Sequence, residues 1–174
     1  MFAFVAKGVD GVNWHNSAGT VYNAFDMNVA TKSGKNTYTL ADVNPLYYGL
    51  LMFAQATGNG AKMLPISNLT NANLDVWATV DNSGTVHVVV INKDEAQTGS
   101  VQISVPGYNN AVALPLTAPS YTATNGIRYA GQTFDGSTNG TIQGSQVTQT
   151  ITPNNGVFSI SVPTTSAVLL NLTQ

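Results

Sequence analysis

Two carboxyl groups facing each other across a cleft can serve as acid and base, or acid and nucleophile, on a bond held between them. The chain has a single glutamate, Glu95, set beside Asp94 and Lys93 in a polar turn where a solvated loop is the simplest reading. Asp10 precedes an apolar run, Asp42 lies near a helix start, and Asp75, Asp81 and Asp135 fall at strand ends or turns. No opposed pair is expected, and no catalytic residue is assigned. His15 and His87 are the only histidines, with no short spacing to a carboxylate cluster, so no metal site is expected. The chain lacks cysteine, which excludes disulfides and thiolate chemistry. Gly8 and Gly11 come before the apolar run rather than after it, the wrong order for a phosphate cradle, so no nucleotide cofactor is expected.

Binding chemistry fares better. His15 stands at the end of the apolar stretch Gly11 to His15, where an imidazole either bonds a sugar hydroxyl or carboxylate or simply closes the strand. Tyr22 follows in a polar loop and offers an aromatic face with a hydroxyl, suited to sugars and equally to anchoring a loop. Trp14 alternates with His15 and is expected to point the other way, into a packing layer. Tyr47 and Tyr48 read as helix interface residues, and Trp77 and His87 as packing residues within strands.

The secondary structure implied around these residues comes in two sets. An apolar strand ending in Asn13 and His15, a crossover, and a helix is how a β/α barrel presents side chains at its rim. Between His15 and Asn44 the pattern is irregular and rich in Asn, Ser, Thr and Gly, as in a long rim loop. Asn44 then caps a helix with Pro45 at its first position, Leu46, Leu50, Phe53 and Ala54 recur at helical spacing, and Gly58 and Gly60 stop it. From Ala61 the period becomes two, with runs Leu74 to Val80, Val86 to Ile91, Val101 to Val105, Val112 to Leu116, Val157 to Val162 and Ala167 to Leu172 between turn residues. Short strands at this spacing indicate an antiparallel β-sandwich. Asp81-Asn82-Ser83-Gly84 joins two of them as a hairpin, and the strand from Val86 is apolar on both sides and so central. Tyr121 to Val147 reads as an excursion with one or two edge strands. The fold class is therefore mainly β: residues 1–60 form the last strand–loop–helix unit of a truncated (β/α)8 barrel, and residues 61–174 an antiparallel sandwich.

Composition narrows the partners. With a net charge of −2 and only 8% charged residues among 174, the chain has no basic face for nucleic acid or an anionic bilayer. The longest apolar run, Tyr47 to Ala54, is far below the ~20 residues a membrane span requires. Met1 to Lys7 is too short for a secretory signal and reads as a cut helix end. Sequons at Asn68, Asn139 and Asn171 are expected by chance in a chain this rich in Asn and Thr. An isolated barrel unit would leave its strand unpaired and its helix stripe bare, so either the helix docks on the sandwich or two copies associate through residues 1–60.

The strand Gly11 to His15, the loop with Tyr22 and the block Asn44-Pro45-Leu46-Tyr47-Tyr48-Gly49-Leu50-Leu51-Met52-Phe53, in that order, resemble glycoside hydrolase family 79, which contains β-glucuronidases and heparanase-like enzymes. The likeness is specific over residues 1 to about 60; beyond them the chain resembles the family's C-terminal β-sandwich in pattern. It implies a retaining hydrolase whose acid/base and nucleophile glutamates sit on earlier barrel strands, with no cofactor. It implies that His15 and Tyr22 help hold a uronic acid in the subsite for the glycone. It also implies a partner in the rest of the barrel, a uronic-acid-containing glycan as ligand of the intact parent, and an extracellular or periplasmic location. The chain itself is expected to be the non-catalytic C-terminal portion, supporting the barrel and lending part of the sugar-binding rim. The alternative is a carbohydrate-binding sandwich with Trp77, Tyr108, Tyr121 and Tyr129 as its aromatic platform.

Overall fold

The computed structural model describes residues 1–14, 23–67 and 72–174. In chain order the elements are α1 (Phe2–Val5), β1 (Phe25–Lys32), β2 (Lys35–Val43), α2 (Pro45–Thr57), β3 (Lys62–Met63), β4 (Leu74–Val80), β5 (Val86–Asn92), β6 (Gly99–Ser104), β7 (Asn110–Thr117), β8 (Arg128–Tyr129), β9 (Gln149–Ile151), β10 (Val157–Val162) and β11 (Ala167–Thr173). The main sheet runs β3-β4-β5-β11-β7-β8, with β9 also paired to β7, and every pairing is antiparallel. A mainly β, antiparallel sandwich is thus the architecture.

The sheet is buried on both faces because its central strands are apolar on both. Val86, Val88 and Val90 of β5 align with Leu172, Leu170 and Val168 of β11, and all six join one core cluster with Phe158, Ile160 and Val162 of β10. β10 pairs with β6 in a separate two-stranded layer that covers this face. β10 alternates buried and exposed, which is the expected signature of a layer wet on its outer side. On the opposite face Val89, Leu114 and Leu169 pack against Tyr48, Met52 and Ala56 of α2. The helix therefore docks on the sheet, making three layers. Each of the buried Val, Leu, Ile, Phe and Met side chains among these contributes about 1.5–3 kcal/mol over its exposed state.

The segment from Tyr121 to Val147 folds over the flank of α2. Ile127, Tyr129, Ala130 and Phe134 are buried in the helix-side core. The Phe134 amide donates to the Tyr48 hydroxyl at 2.7 Å, and that hydroxyl lies 3.1 Å from Thr133 Oγ1. Tyr129 donates to Gln55 Oε1, and burial pushes the Tyr129 hydroxyl above its ordinary pKa.

The amino-terminal stretch departs from the expected pattern. Gly11 to Trp14 carries no regular structure and is not a strand. A strand exists through its ladder, and no described strand lies beside these residues to supply one. Trp14 is 47% exposed instead of packed. The expected irregular rim loop contains the hairpin β1–β2, whose turn is Ser33-Gly34 with φ of 53° and 74°, the two left-handed positions a type I′ turn demands. Of the apolar positions of α2, Tyr48, Met52 and Ala56 are buried, whereas Leu46 and Leu50 are only partly covered and Ala54 is exposed.

Candidate functional site

Three places gather polar chemistry. The first is the hairpin region around the expected rim. His15 and Tyr22, the two residues singled out for binding, lie outside the described residues. Of their flanks, Trp14 is exposed and Asn23 is buried. The Asn44 amide donates to the Ala24 carbonyl at 3.0 Å, which closes the base of the hairpin, and Phe25 packs its ring on Tyr47 with centroids 4.7 Å apart. Above that base the ribbon leaves the body: residues 28 to 39 are exposed on both faces. The register sets Asp26 opposite Asp42 beside a bulge. Both belong to one ribbon, side by side rather than on opposing walls, so they do not flank a bond as glycoside cleavage requires.

The second is a cleft of about 390 Å³ between the start of α2, the β5–β6 turn and the loop after β7. Its floor is Tyr48, Ile91, Leu116 and Ile127, and its rim includes Lys93, Glu95 and Tyr121. Tyr121 is 72% exposed. Lys93 is already engaged by Asp75 at 3.0 Å, and Asp94 accepts the amides of Ala96 and Gln97 to shape the turn. Glu95 has no second acid opposite it among these lining residues.

The third is a polar knot at the other end of α2. Asp81 accepts from Ser83 N and Oγ at 2.9 and 2.6 Å, from Thr85 N at 3.0 Å and from Asn59 Nδ2 at 3.1 Å. These donors, the Ser83 hydroxyl foremost, hold its carboxyl well below the usual carboxylate range. His87 Nε2 lies 3.6 Å from the same carboxyl, and His87 Nδ1 is 2.7 Å from Asn171 Oδ1. Thr79 Oγ1 donates to the Ala56 carbonyl. The knot ties the β4–β5 turn to the helix end and presents no nucleophile to a cavity. Sequence reasoning missed it, although Asp-x-Ser-Gly is a turn whose acid bonds its own backbone two and four residues on.

The four aromatics of the binding-module alternative do not assemble. Trp77 stacks on Phe2 with centroids 5.9 Å apart on the helix side of the sheet, Tyr108 packs on the opposite side and donates to the Gly84 carbonyl, and Tyr129 is 2% exposed. Among the described residues no three of His, Asp and Glu gather as metal ligands, and no helix is long and apolar enough to cross a membrane.

No curated protein matches the chain. Solved structures do. A 4-O-α-L-rhamnosyl-β-D-glucuronidase from Fusarium oxysporum 12S, in complex with Rha-GlcA, superposes with a TM-score of 0.63 at 20% identity, covering 75% of this chain and 30% of that one. The catalytic domain of a GH30 xylanase C from Talaromyces cellulolyticus gives 0.53 at 16%, covering 84% and 27%. A thermostable GH51 α-L-arabinofuranosidase from Thermotoga petrophila RKU-1 gives 0.53 at 16%, covering 87% and 31%. At these identities the likeness is one of fold, and the chain spans under a third of each. The model of the glycosyl hydrolase family 79 C-terminal beta domain matches residues 76–169, which run from β4 into β11 and hold most of the main sheet. By that match over more than half its length, the chain belongs to the glycosyl hydrolase family 79 C-terminal beta domain.

Proposed function

We propose that the chain is the non-catalytic C-terminal portion of a retaining, β-glucuronidase-like hydrolase, and that α2 is the splint between its sandwich and a catalytic β/α barrel. The observation that carries this is that α2 is apolar on two opposite sides. Tyr48, Met52 and Ala56 lie along one side and are buried on the sheet. Leu46, Leu50 and Ala54 lie half a turn away and stand partly or fully open. A helix apolar all round belongs between two bodies, and only one is present here. Phe4 and Val5, both exposed, add to the open apolar surface of the first sixty residues.

In this reading the cleaving glutamates are the barrel's, while His15 and Tyr22 contribute to the rim that holds a uronic acid, in a parent that works outside the cytoplasm. Support for a glucuronide comes from the family and from the rhamnosyl-glucuronidase among the structures of like fold.

The test is reconstitution. The chain is mixed with the barrel of a family 79 β-glucuronidase from which the C-terminal domain has been removed, and association is followed by light scattering. Alone, the chain is expected to self-associate through residues 1–60; with the barrel it should form a one-to-one complex. Leu46→Lys with Leu50→Lys should abolish both while leaving the far-ultraviolet dichroism intact. Turnover of a chromogenic β-glucuronide by the chain alone, lost on Glu95→Gln, would overturn the proposal.

A further inference from the structure

The cleft between the start of α2, the β5–β6 turn and the loop after β7 has a floor and a mouth of different chemistry. At about 390 Å³ it falls within the range of sites that take small organic molecules. The floor is hydrocarbon: Ile91 and Leu116 from the sheet, the Tyr48 ring from α2, and Ile127. Tyr48 and Ile127 are buried in the helix-side core, and the Phe134 amide holds the Tyr48 hydroxyl, so this floor is fixed before anything binds. The mouth carries the largely exposed Tyr121, and its charges do not cancel. Lys93, the one cation among the lining residues, gives its amine to Asp75 at 3.0 Å. Glu95 is exposed and makes no ion pair or hydrogen bond among the described residues. Asp94 adds a second negative charge in the same turn, where its Oδ1 accepts the Ala96 and Gln97 amides. An unpaired carboxylate and a bare aromatic ring above an apolar floor suit an ammonium carried on a hydrocarbon: the carboxylate accepts its N–H, the ring face attracts its charge, and the floor covers its body.

We propose that this cleft is a binding site for a small aromatic amine, whose ammonium pairs with Glu95 beside the Tyr121 ring while its apolar body lies on Ile91, Leu116 and Ile127. The charge at the mouth repels a carboxylate, so the site is not one for an acidic sugar. It is also separate from the surface offered to a barrel. Tyr48 lines the cleft from the sheet side of α2, and Leu46, Leu50 and Ala54 lie half a turn away. The site is therefore complete in this chain alone.

The site is tested by titrating the isotope-labelled 174-residue chain with 2-phenylethylammonium and following backbone amide shifts. Saturable shifts at Ile91, Leu116 and Ile127 are expected. Binding should be about fivefold tighter than that of neutral 2-phenylethanol, with a gap that narrows as salt is raised. Glu95→Gln should erase most of that gap and leave the alcohol's binding as it was. Tyr121→Ala should weaken the amine about threefold. Ala123→Trp, which fills the cleft from its own wall, should weaken both probes. Unchanged amide shifts at Val88 and Leu170, on the far face of the sheet, show that each variant is folded. The proposal falls if no cleft amide shifts saturably, or if 2-phenylethanol or 3-phenylpropionate binds as tightly as the amine. It falls equally if the preference survives Glu95→Gln or if Ala123→Trp binds both probes unchanged. The titration involves neither the barrel nor the open row of α2, so its outcome and that of the reconstitution are independent.

Discussion

Asp81 shows how much one carboxylate can fix when it is spent on structure. It closes its own turn through Ser83 and Thr85, reaches Asn59 beyond the end of α2, and stands beside His87. Its folded pKa is depressed, so its contribution is present in full above the unfolded carboxylate value, near 3.9, and is lost as pH falls through the lower folded value. Asp81→Asn should therefore lower stability at pH 7, and the gap between the two proteins should begin to close below about pH 4. Urea unfolding of both at pH 7 and pH 3 checks this; a gap of equal size at the two values would show that the carboxylate's charge is not what matters. At this scale the sequence was legible for acids in turns and for Tyr48 as an interface residue. It was not legible for Trp14, whose expected burial assumed a strand with neighbours.

Among the elements, those read most closely from the sequence are the ones whose two faces differ from their surroundings in a regular way. Leu74–Val80 and Val157–Val162 have the limits that alternation and flanking turns give them. β5 is central because Val86, Val88 and Val90 face one core and Val89 and Ile91 the other. The β1–β2 hairpin was invisible for the converse reason: Thr, Asn and Lys occupy both faces, so no period-two contrast exists to detect. Helix α2 was found and Tyr48 read as an interface residue, but α2 carries two apolar rows that periodicity alone cannot rank. The hairpin's independence has a measurable consequence. Ser33 sits at φ 53°, which Asn tolerates and a β-branched residue does not. Ser33→Val should cost the ribbon about 1–2 kcal/mol, seen as faster amide exchange at Asn28 and Ala30, whose amides face the partner strand. Since the strands of this hairpin pair only with each other, the global unfolding midpoint should stay where it is. Ser33→Asn should leave both unchanged.

For the whole molecule the decisive relation is between the first sixty residues and the sheet. Reading along the chain divides it at residue 60, yet in space α2 supplies Tyr48, Met52 and Ala56 to the same core cluster as Val89, Leu114 and Leu169. Phe2 joins that cluster too, with its ring 4.8 Å from Phe53 and stacked on Trp77. The helix also holds the Tyr121–Val147 excursion through the Tyr48 hydroxyl, and the β4–β5 turn through Ala56 and Asn59. Deleting residues 1–60 would uncover one face of the main sheet, and leave the buried Phe134 amide without its acceptor. The remaining piece, residues 61–174, contains every strand of the main sheet and should nevertheless fail as a soluble monomer: it should bind a hydrophobic dye, aggregate on concentration and lose its near-ultraviolet dichroism. Supplying α2 in trans as a peptide should restore the dichroism. A monodisperse, dye-silent fragment would mean that the β6–β10 face alone carries the fold, and that the sandwich does not need α2 as its third layer.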